Sequence, residues 1–336
     1  MKAAYIERYG KHSPLIIGDR PVPTCGPRDL LVRVRAASIN PLDFKIRNGE
    51  LRVVYTFRMP LILGNDLAGE VIAVGREVQG FAIGDEIMAR VQKDRIGSFA
   101  EQIAIDASTA ARKPKALSFV EAASLPLASL TAWQALRDFQ PPDQPIGPGK
   151  KVLIHAGSGG VGSLAIQLAH HLGAHVATTA SPRNHELVRS LGADEVIDYR
   201  SQRFDERLRD YDLVLDTLGG AAQLASFRVV APGGAVVSIA GLPSADFARE
   251  QGLPWPVRAF LWLRSAKVRR AAAAARARWS YLFMKASGDQ LAELGALVER
   301  GALRPVIDRV VPLDQAGEAL DYVATGRATG KVVLEI

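Results

Sequence analysis

The segment Lys151-Val152-Leu153-Ile154-His155-Ala156-Gly157-Ser158-Gly159-Gly160-Val161-Gly162 constrains this chain more than any other. A short apolar strand ends in a glycine-rich turn. A helix starts at once, with apolar residues at 161, 164, 165, 168 and 172, a spacing that places them on one face. Gly157, Gly159 and Gly162 fill the three positions of G-x-G-x-x-G, with Ser158, Gly160 and Val161 between them. The first glycine allows the tight turn, the second lets backbone approach a pyrophosphate, and the third lets helix pack on strand. The helix N-terminus adds free N–H groups and a positive dipole end. Strand, loop and helix together predict dinucleotide binding.

The stretches 174–179, 194–198, 212–216 and 234–238 read as further strands, separated by helical stretches around 184–191, 203–209 and 221–229. Strands alternating with helices at this pitch predict a doubly wound parallel sheet. Its ligand belongs beyond the carboxyl ends of the strands. A fold of this kind that selects NAD usually carries an acid about twenty residues past the first glycine, to hold the ribose 2′-hydroxyl. Thr178-Thr179-Ala180-Ser181-Pro182-Arg183-Asn184 has none, whereas Ser181 and Arg183 offer a hydrogen bond and a charge to a 2′-phosphate. The pattern favours NADPH over NADH. The plainer reading of Arg183 is a solvated first-turn residue.

At 336 residues, two domains are expected. Hydrophobic content of 48% and charged content of 23% suit a globular protein, and no apolar run reaches the length of a membrane span. Met1–Glu7 lacks the apolar core of a signal peptide. One cysteine, Cys25, excludes an internal disulfide and suits a reducing, cytoplasmic setting. It also excludes a structural zinc site built on two or more cysteines. Much of the net charge of +7 falls in 258–278.

Residues 1–125 read as mostly β. Leu30–Ala36 alternates with period two, and 67–75, 84–89 and 97–105 read as further strands between Gly and Pro turns, a barrel-like pattern. The stretches 304–311 and 331–336 return to β around a helix near 315–325, and are expected to rejoin the first domain.

Asn40-Pro41-Leu42-Asp43, Gly64-Asn65-Asp66-Leu67-Ala68-Gly69-Glu70-Val71, Gly84-Asp85-Glu86, Leu125–Trp133, the glycine loop and Thr329-Gly330-Lys331-Val332-Val333 stand in one order along nearly the whole chain. In these motifs the sequence resembles the medium-chain dehydrogenase/reductase superfamily, in its zinc-free quinone oxidoreductase and enoyl reductase branch. The resemblance implies an α/β protein: a GroES-like β-barrel catalytic domain (1–125 and 303–336) plus a Rossmann doubly wound parallel-sheet domain (126–302). A helical insert is expected at about 243–278, and the active site in the cleft between the domains. It further implies NADPH as cofactor, a quinone or α,β-unsaturated carbonyl (enone or 2-alkenal) as substrate, and a homodimer. By the same pattern, Thr131 lies beside the nicotinamide and Tyr199 near the adenosine 2′-phosphate. Thr217, Leu218 and Gly219, with Ala240, Gly241 and Leu242, meet the nicotinamide ribose, and Lys331 approaches the cofactor.

Zinc-dependent relatives place a cysteine where this chain has Ser38 to Asn40 and Gly-His-Glu where it has Gly64-Asn65-Asp66. Five of the six histidines lie in the nucleotide half, so no zinc ligand set is expected. Without a Lewis acid, conjugate reduction is the less demanding chemistry: hydride adds to the β-carbon, and the carbonyl oxygen, becoming an enolate, needs hydrogen-bond donors. The resemblance points to Asn40 for that role, with Tyr55 as donor or proton source. The plainer readings are that Asn40 caps the turn before Pro41 and that Tyr55 packs within Val53–Phe57. Asp43 and Asp66 read as loop anchors, and His155 as a strand-end structural residue.

The segment 243–285 departs from short quinone oxidoreductases. Trp255–Arg264, Lys267–Arg270, five alanines and Arg276–Trp279 predict one or two helices. The bland reading is a solvated insert; the sharper ones are a membrane-surface helix or a nucleic-acid patch, nucleic acid being the less expected. On the sharper readings the chain is an NADPH-binding protein with little turnover. Ser280–Lys285 reads as a sixth strand that pairs with a symmetry mate.

Overall fold

Leu30, Val32, Val34 and Ala36 are buried while Arg33 and Arg35 between them are exposed, and both arginines pair with Glu70 on the neighbouring strand. That alternation makes this strand the spine of a sheet. The computed structural model describes residues 1–11, 13–52, 56–138 and 145–336. The chain opens with β1 (Lys2–Ile6), β2 (Ile16–Asp19), the spine β3 (Asp29–Ile39), α1 (Pro41–Asn48), β4 (Leu61–Ile62) and β5 (Asp66–Val74). β6 (Glu86–Arg90), β7 (Gln102–Asp106), β8 (Ala110–Arg112), α2 (Phe119–Ala123) and α3 (Pro126–Arg137) follow.

The nucleotide half runs β9 (Lys151–Ile154), α4 (Gly160–His171), β10 (His175–Ala180), α5 (His185–Ser190), β11 (Glu195–Asp198), α6 (Phe204–Arg207), β12 (Tyr211–Asp216), α7 (Gly220–Ser226) and β13 (Val230–Ser238). Three helices come next, α8 (Ala245–Glu250), α9 (Trp255–Arg264) and α10 (Ala266–Ala274), before β14 (Arg278–Tyr281). The chain closes with α11 (Gly288–Glu299), β15 (Ile307–Pro312), α12 (Ala316–Ala324) and β16 (Lys331–Glu335).

Two units result. The first holds Met1–Leu130 and Lys285–Ile336; the second holds Thr131–Met284. In the first, a sheet ordered β15-β16-β3-β5-β6-β8, with β7 also on β3, and a smaller sheet β2-β1-β4 enclose a core that includes Leu30, Leu67, Ile87, Phe99 and Leu334. In the second, six parallel strands stand in the order β11-β10-β9-β12-β13-β14.

Three boundaries differ from the sequence expectations. The chain passes between units at 130/131 and 284/285 rather than at 125/126 and 302/303. The second shift arises because α11 packs on the barrel sheet, where Gly288 stands so close to the Ala110 carbonyl that a Cβ would overlap it. The sixth strand is Arg278–Tyr281, not Ser280–Lys285, because its register follows β13, with Trp279 opposite Val236 and Tyr281 opposite Ser238. The insert's helices lie within Ala245–Ala274.

Candidate functional site

Strand register assembles a buried polar cluster at the carboxyl end of β3. Ser38 lies opposite Asp66 of β5 on one side, and Ile39 opposite Val332 of β16 on the other. Asn40 and Lys331 are the next residues along, so both side chains meet the Asp66 carboxylate. Asn40 donates from Nδ2 to Asp66 Oδ2 at 2.9 Å and to the Ser38 carbonyl at 3.3 Å. Ser38 Oγ donates to the same Asp66 oxygen at 2.9 Å. Lys331 Nζ donates to Asn40 Oδ1 and lies 3.4 Å from Asp66 Oδ2. Asp66 Oδ1 accepts the Leu127 N–H at 2.9 Å.

Asp43 completes the cluster. It accepts the Asn40 N–H at 2.7 Å and Asn65 Nδ2 at 2.7 Å, while Asn65 Oδ1 is buried with no partner among the described residues. Asp43 and Asp66 therefore anchor backbone, as their positions predict. Burial pushes the Asp43 carboxyl up to about 7. Burial lowers the Lys331 ammonium from its ordinary value, opposed by the negative charges of Asp66 and Asp43. Among the described residues, no group of three or more His, Cys, Asp or Glu is arranged to hold a metal ion.

The cluster changes the part available to Asn40. Both its amide hydrogens are given to internal acceptors and its oxygen to Lys331, and the residue is buried. Lys331 has three N–H bonds and two partners, so the hydrogen with no partner among the described residues belongs to the lysine. Tyr55 lies outside the described residues.

In the second unit the glycine loop has the form its spacing predicts. A Cβ on Gly157 would overlap Thr178 Oγ1, and one on Gly162 would overlap the Ala156 carbonyl oxygen, so neither position accepts a side chain. The first bond of the α4 ladder runs from Ser163 N–H to the Gly159 carbonyl at 2.9 Å, leaving the N–H groups of Gly160, Val161 and Gly162 ahead of it. Asn184 Nδ2 donates to Ser158 Oγ at 2.8 Å and ties the loop to the end of β10.

Ala180 lies opposite Asp198, so Ser181 and Tyr199 leave β10 and β11 side by side, with Arg183 one turn further on. Asp198, the acid nearest that corner in register, is held by the Ser201 hydroxyl and the Arg200 N–H, which keep its carboxyl below the usual range. Thr217, Leu218 and Gly219 follow β12; Ala240, Gly241 and Leu242 follow β13. Asp216 Oδ1 accepts the N–H groups of Leu218 and Gly219 at 3.1 and 2.8 Å and shapes the first of these turns. Tyr199, Leu218 and Leu242 are exposed apolar side chains at the carboxyl ends of three strands. A glycine loop whose N–H groups at 160–162 precede the helix ladder, with exposed apolar side chains at neighbouring strand ends, fits a dinucleotide.

His155 is structural. Its Nε2 lies 3.0 Å from Ser226 Oγ and its Nδ1 3.4 Å from Thr179 Oγ1, and burial pushes it down to about 4. Thr131 opens the second unit within α3 and is buried. Sequence reasoning missed the tie from Asn184 to the loop, the Asp216 turn and the contact of Lys331 with Asn40. Only Asp216 carried a signal, an acid followed two and three residues later by N–H groups in a strand-end turn.

The family model described as zinc-binding dehydrogenase matches residues 191–334, and that described as alcohol dehydrogenase GroES-like domain matches 26–115. The chain is 34% identical to the 2-methylene-furan-3-one reductase of Solanum lycopersicum, over 93% of this chain and 73% of that one. It is 32% identical to the mitochondrial NAD(P)H oxidoreductase RTN4IP1 of Danio rerio, over 100% of this chain and 91% of that one. The solved structure of the quinone oxidoreductase from Coxiella burnetii superposes with a TM-score of 0.84 at 34% identity, covering 100% of this chain and 99% of that one.

Proposed function

Because the chain belongs to the zinc-independent quinone and alkenal oxidoreductase branch of the medium-chain dehydrogenase/reductase superfamily, we propose that it reduces quinones or α,β-unsaturated carbonyls with NADPH. The observation that carries this reading is the Lys331 ammonium, held dry between Asn40 and Asp66. Conjugate reduction gathers negative charge on a carbonyl oxygen, and a preorganised positive donor is what such an oxygen needs.

When bound, the reduced nicotinamide supplies hydride to the β-carbon. Gly157 to Gly162 hold the pyrophosphate by backbone N–H groups, and Thr131, Thr217, Leu218, Gly219, Ala240, Gly241 and Leu242 line the nicotinamide ribose. Ser181, Arg183 and Tyr199 receive the 2′-phosphate, which selects NADPH over NADH. As the substrate π electrons move onto oxygen, Lys331 donates its free N–H to the enolate. Asn40 and Asp66 fix the ammonium, and the Asp66 charge opposes the burial that lowers it, so Asn40 acts chiefly as a positioning residue. Tyr55 is the proposed source of the proton that the α-carbon then takes, since a phenol of pKa about 10 is protonated at neutral pH. The single Cys25 fits a reducing, cytoplasmic setting. Among the described residues no helix is long and apolar enough to cross a membrane.

The test is oxidation of deuterated NADPH against a panel of quinones, enones and 2-alkenals, with the label located in the product. Label on the β-carbon is expected. Label on a carbonyl carbon would mean alcohol dehydrogenase chemistry and would overturn the reading.

A further inference from the structure

The helix α9 faces water with the wrong residues. At about 100° per residue, Trp262, Trp255, Ala259, Leu263, Pro256 and Phe260 sweep an arc of about 160°. Every residue of that arc is apolar and exposed; Trp255 is 76% exposed and Leu263 66%. Its opposite side, through Leu261, is the side that is buried. An ordinary surface helix turns charged and polar groups to water. Here the only charges on the helix, Arg258 and Arg264, flank the arc about 40° beyond its two ends.

The surrounding charge is one-sided. Residues 251–288 contain eight Lys and Arg and no Asp or Glu, the whole of the chain's +7 excess and one charge more. No carboxylate among the described residues pairs with Arg258, Arg264, Lys267 or Arg270. A groove beside the arc is lined by Arg258, Arg269, Trp255, Trp262 and Trp279, together with Arg249, which pairs with Asp246. Arg269 stacks on the Trp262 ring at 4.1 Å, and its Nε has no hydrogen-bond partner among the described residues.

We propose that α9 and α10 form an interfacial element that seats this protein on an anionic lipid bilayer, the apolar arc entering the acyl boundary and the arginines meeting lipid phosphates. An uncovered apolar helix face beside unpaired cations is what such a surface takes up. Charge decides against a second copy of the chain, because a twofold contact through α9 would face Arg258 and Arg264 with their own like charges. The arc decides against nucleic acid, because apart from the indole N–H groups of Trp255 and Trp262 it presents only apolar surface to a base edge or phosphate. The element rests on the surface rather than crossing it. This inference is independent of the reductase reading, and either can fail alone.

Vesicle co-sedimentation of the full chain tests it, with equal phosphatidylglycerol and phosphatidylcholine against phosphatidylcholine alone. Binding is expected to the anionic vesicles, with quenching of tryptophan fluorescence by brominated acyl chains. Leu263→Ser with Phe260→Ser should weaken it at least about tenfold, and Arg258→Gln with Arg264→Gln should reduce the preference for anionic lipid. These side chains are exposed, and unchanged NADPH oxidation in solution checks that each variant is folded. No binding to anionic vesicles by the folded protein overturns the proposal. So does binding indifferent to the serine pair, retention on duplex DNA in place of vesicles, or a serine-pair variant whose only change is a fall in oligomeric mass.

Discussion

Lys331 is a cation kept out of water by one carboxylate and one amide, and each of the three depends on the other two. Without the ammonium, Asp66 keeps its hydrogen bonds from Asn40, Ser38 and Leu127 but loses its counter-charge. Lys331→Met is therefore expected to lower turnover about 10²-fold, with NADPH affinity nearly unchanged. Asn40→Ala should lower it at least about tenfold by freeing the ammonium to swing, and Asn40→Asp should not restore the loss, because a carboxylate would replace the amide donor that faces Asp66 Oδ2. Steady-state kinetics with cofactor titration by fluorescence measures both, and full activity in either variant would remove that residue from the site. His155 gives a prediction of another kind. Its folded pKa of about 4 lies below the ordinary 6.5, so the folded state binds fewer protons than the unfolded one across that window. Stability from this group is complete above pH 6.5 and falls as pH drops toward 4, by at most about 1.4 kcal/mol per pH unit. Asp43 runs the other way: raised from 3.8 to about 7, its contribution is complete below 3.8 and is lost as pH rises through 7. Urea unfolding at pH 5 and pH 7.5 should show a smaller acid loss in His155→Gln than in the parent chain. An identical loss in both would mean that His155 is not the group that titrates.

At the scale of elements, what was legible in the sequence was whatever local spacing decides. The loop from Gly157 to Gly162 could be read because backbone and side-chain contacts forbid a Cβ at its first and last glycines. Five of the six parallel strands could be read because each is a short run with apolar residues between helical stretches, whereas β14, Arg278-Trp279-Ser280-Tyr281, lacks such a run and its place is set by pairing with β13. The link of Asn40 to Lys331 spans 291 residues, and only the sheet order β16-β3-β5 brings the two together. The periodicity of α11 reveals an apolar face but not which sheet will cover it, hence the shifted domain boundary. The proposed 2′-phosphate site belongs to this scale as well, since Ser181 and Tyr199 leave β10 and β11 side by side only because the two strands pair in parallel with Ala180 opposite Asp198. Arg183→Ala is expected to weaken NADPH at least about tenfold and to leave NADH nearly unchanged, because only the former carries the extra phosphate. Dissociation constants from cofactor fluorescence decide it. Equal losses for both cofactors would show that Arg183 serves the fold rather than the 2′-phosphate.

Across the whole molecule, the six-stranded sheet ends in two unlike edges. At one end β11 carries Glu195 and Asp198, with Asp194 beside them; at the other β14, Arg278-Trp279-Ser280-Tyr281, carries no acid. A twofold contact brings an edge against itself, so β11 would set carboxylates against carboxylates while β14 would not. Among the described residues β14 pairs with β13 alone. Continuous pairing of two sheets through β14 would satisfy its remaining backbone groups. A homodimer joined there is the expected assembly, and light scattering at micromolar concentration should return twice the monomer mass. The exposed arc of α9 is the competing contact, and the two are separable. If β14 makes the dimer, Leu263→Ser with Phe260→Ser leaves the mass doubled while vesicle binding falls. If that pair yields a monomer, the chains meet through α9, and the bilayer loses its claim on that face together with β14 its claim on the dimer.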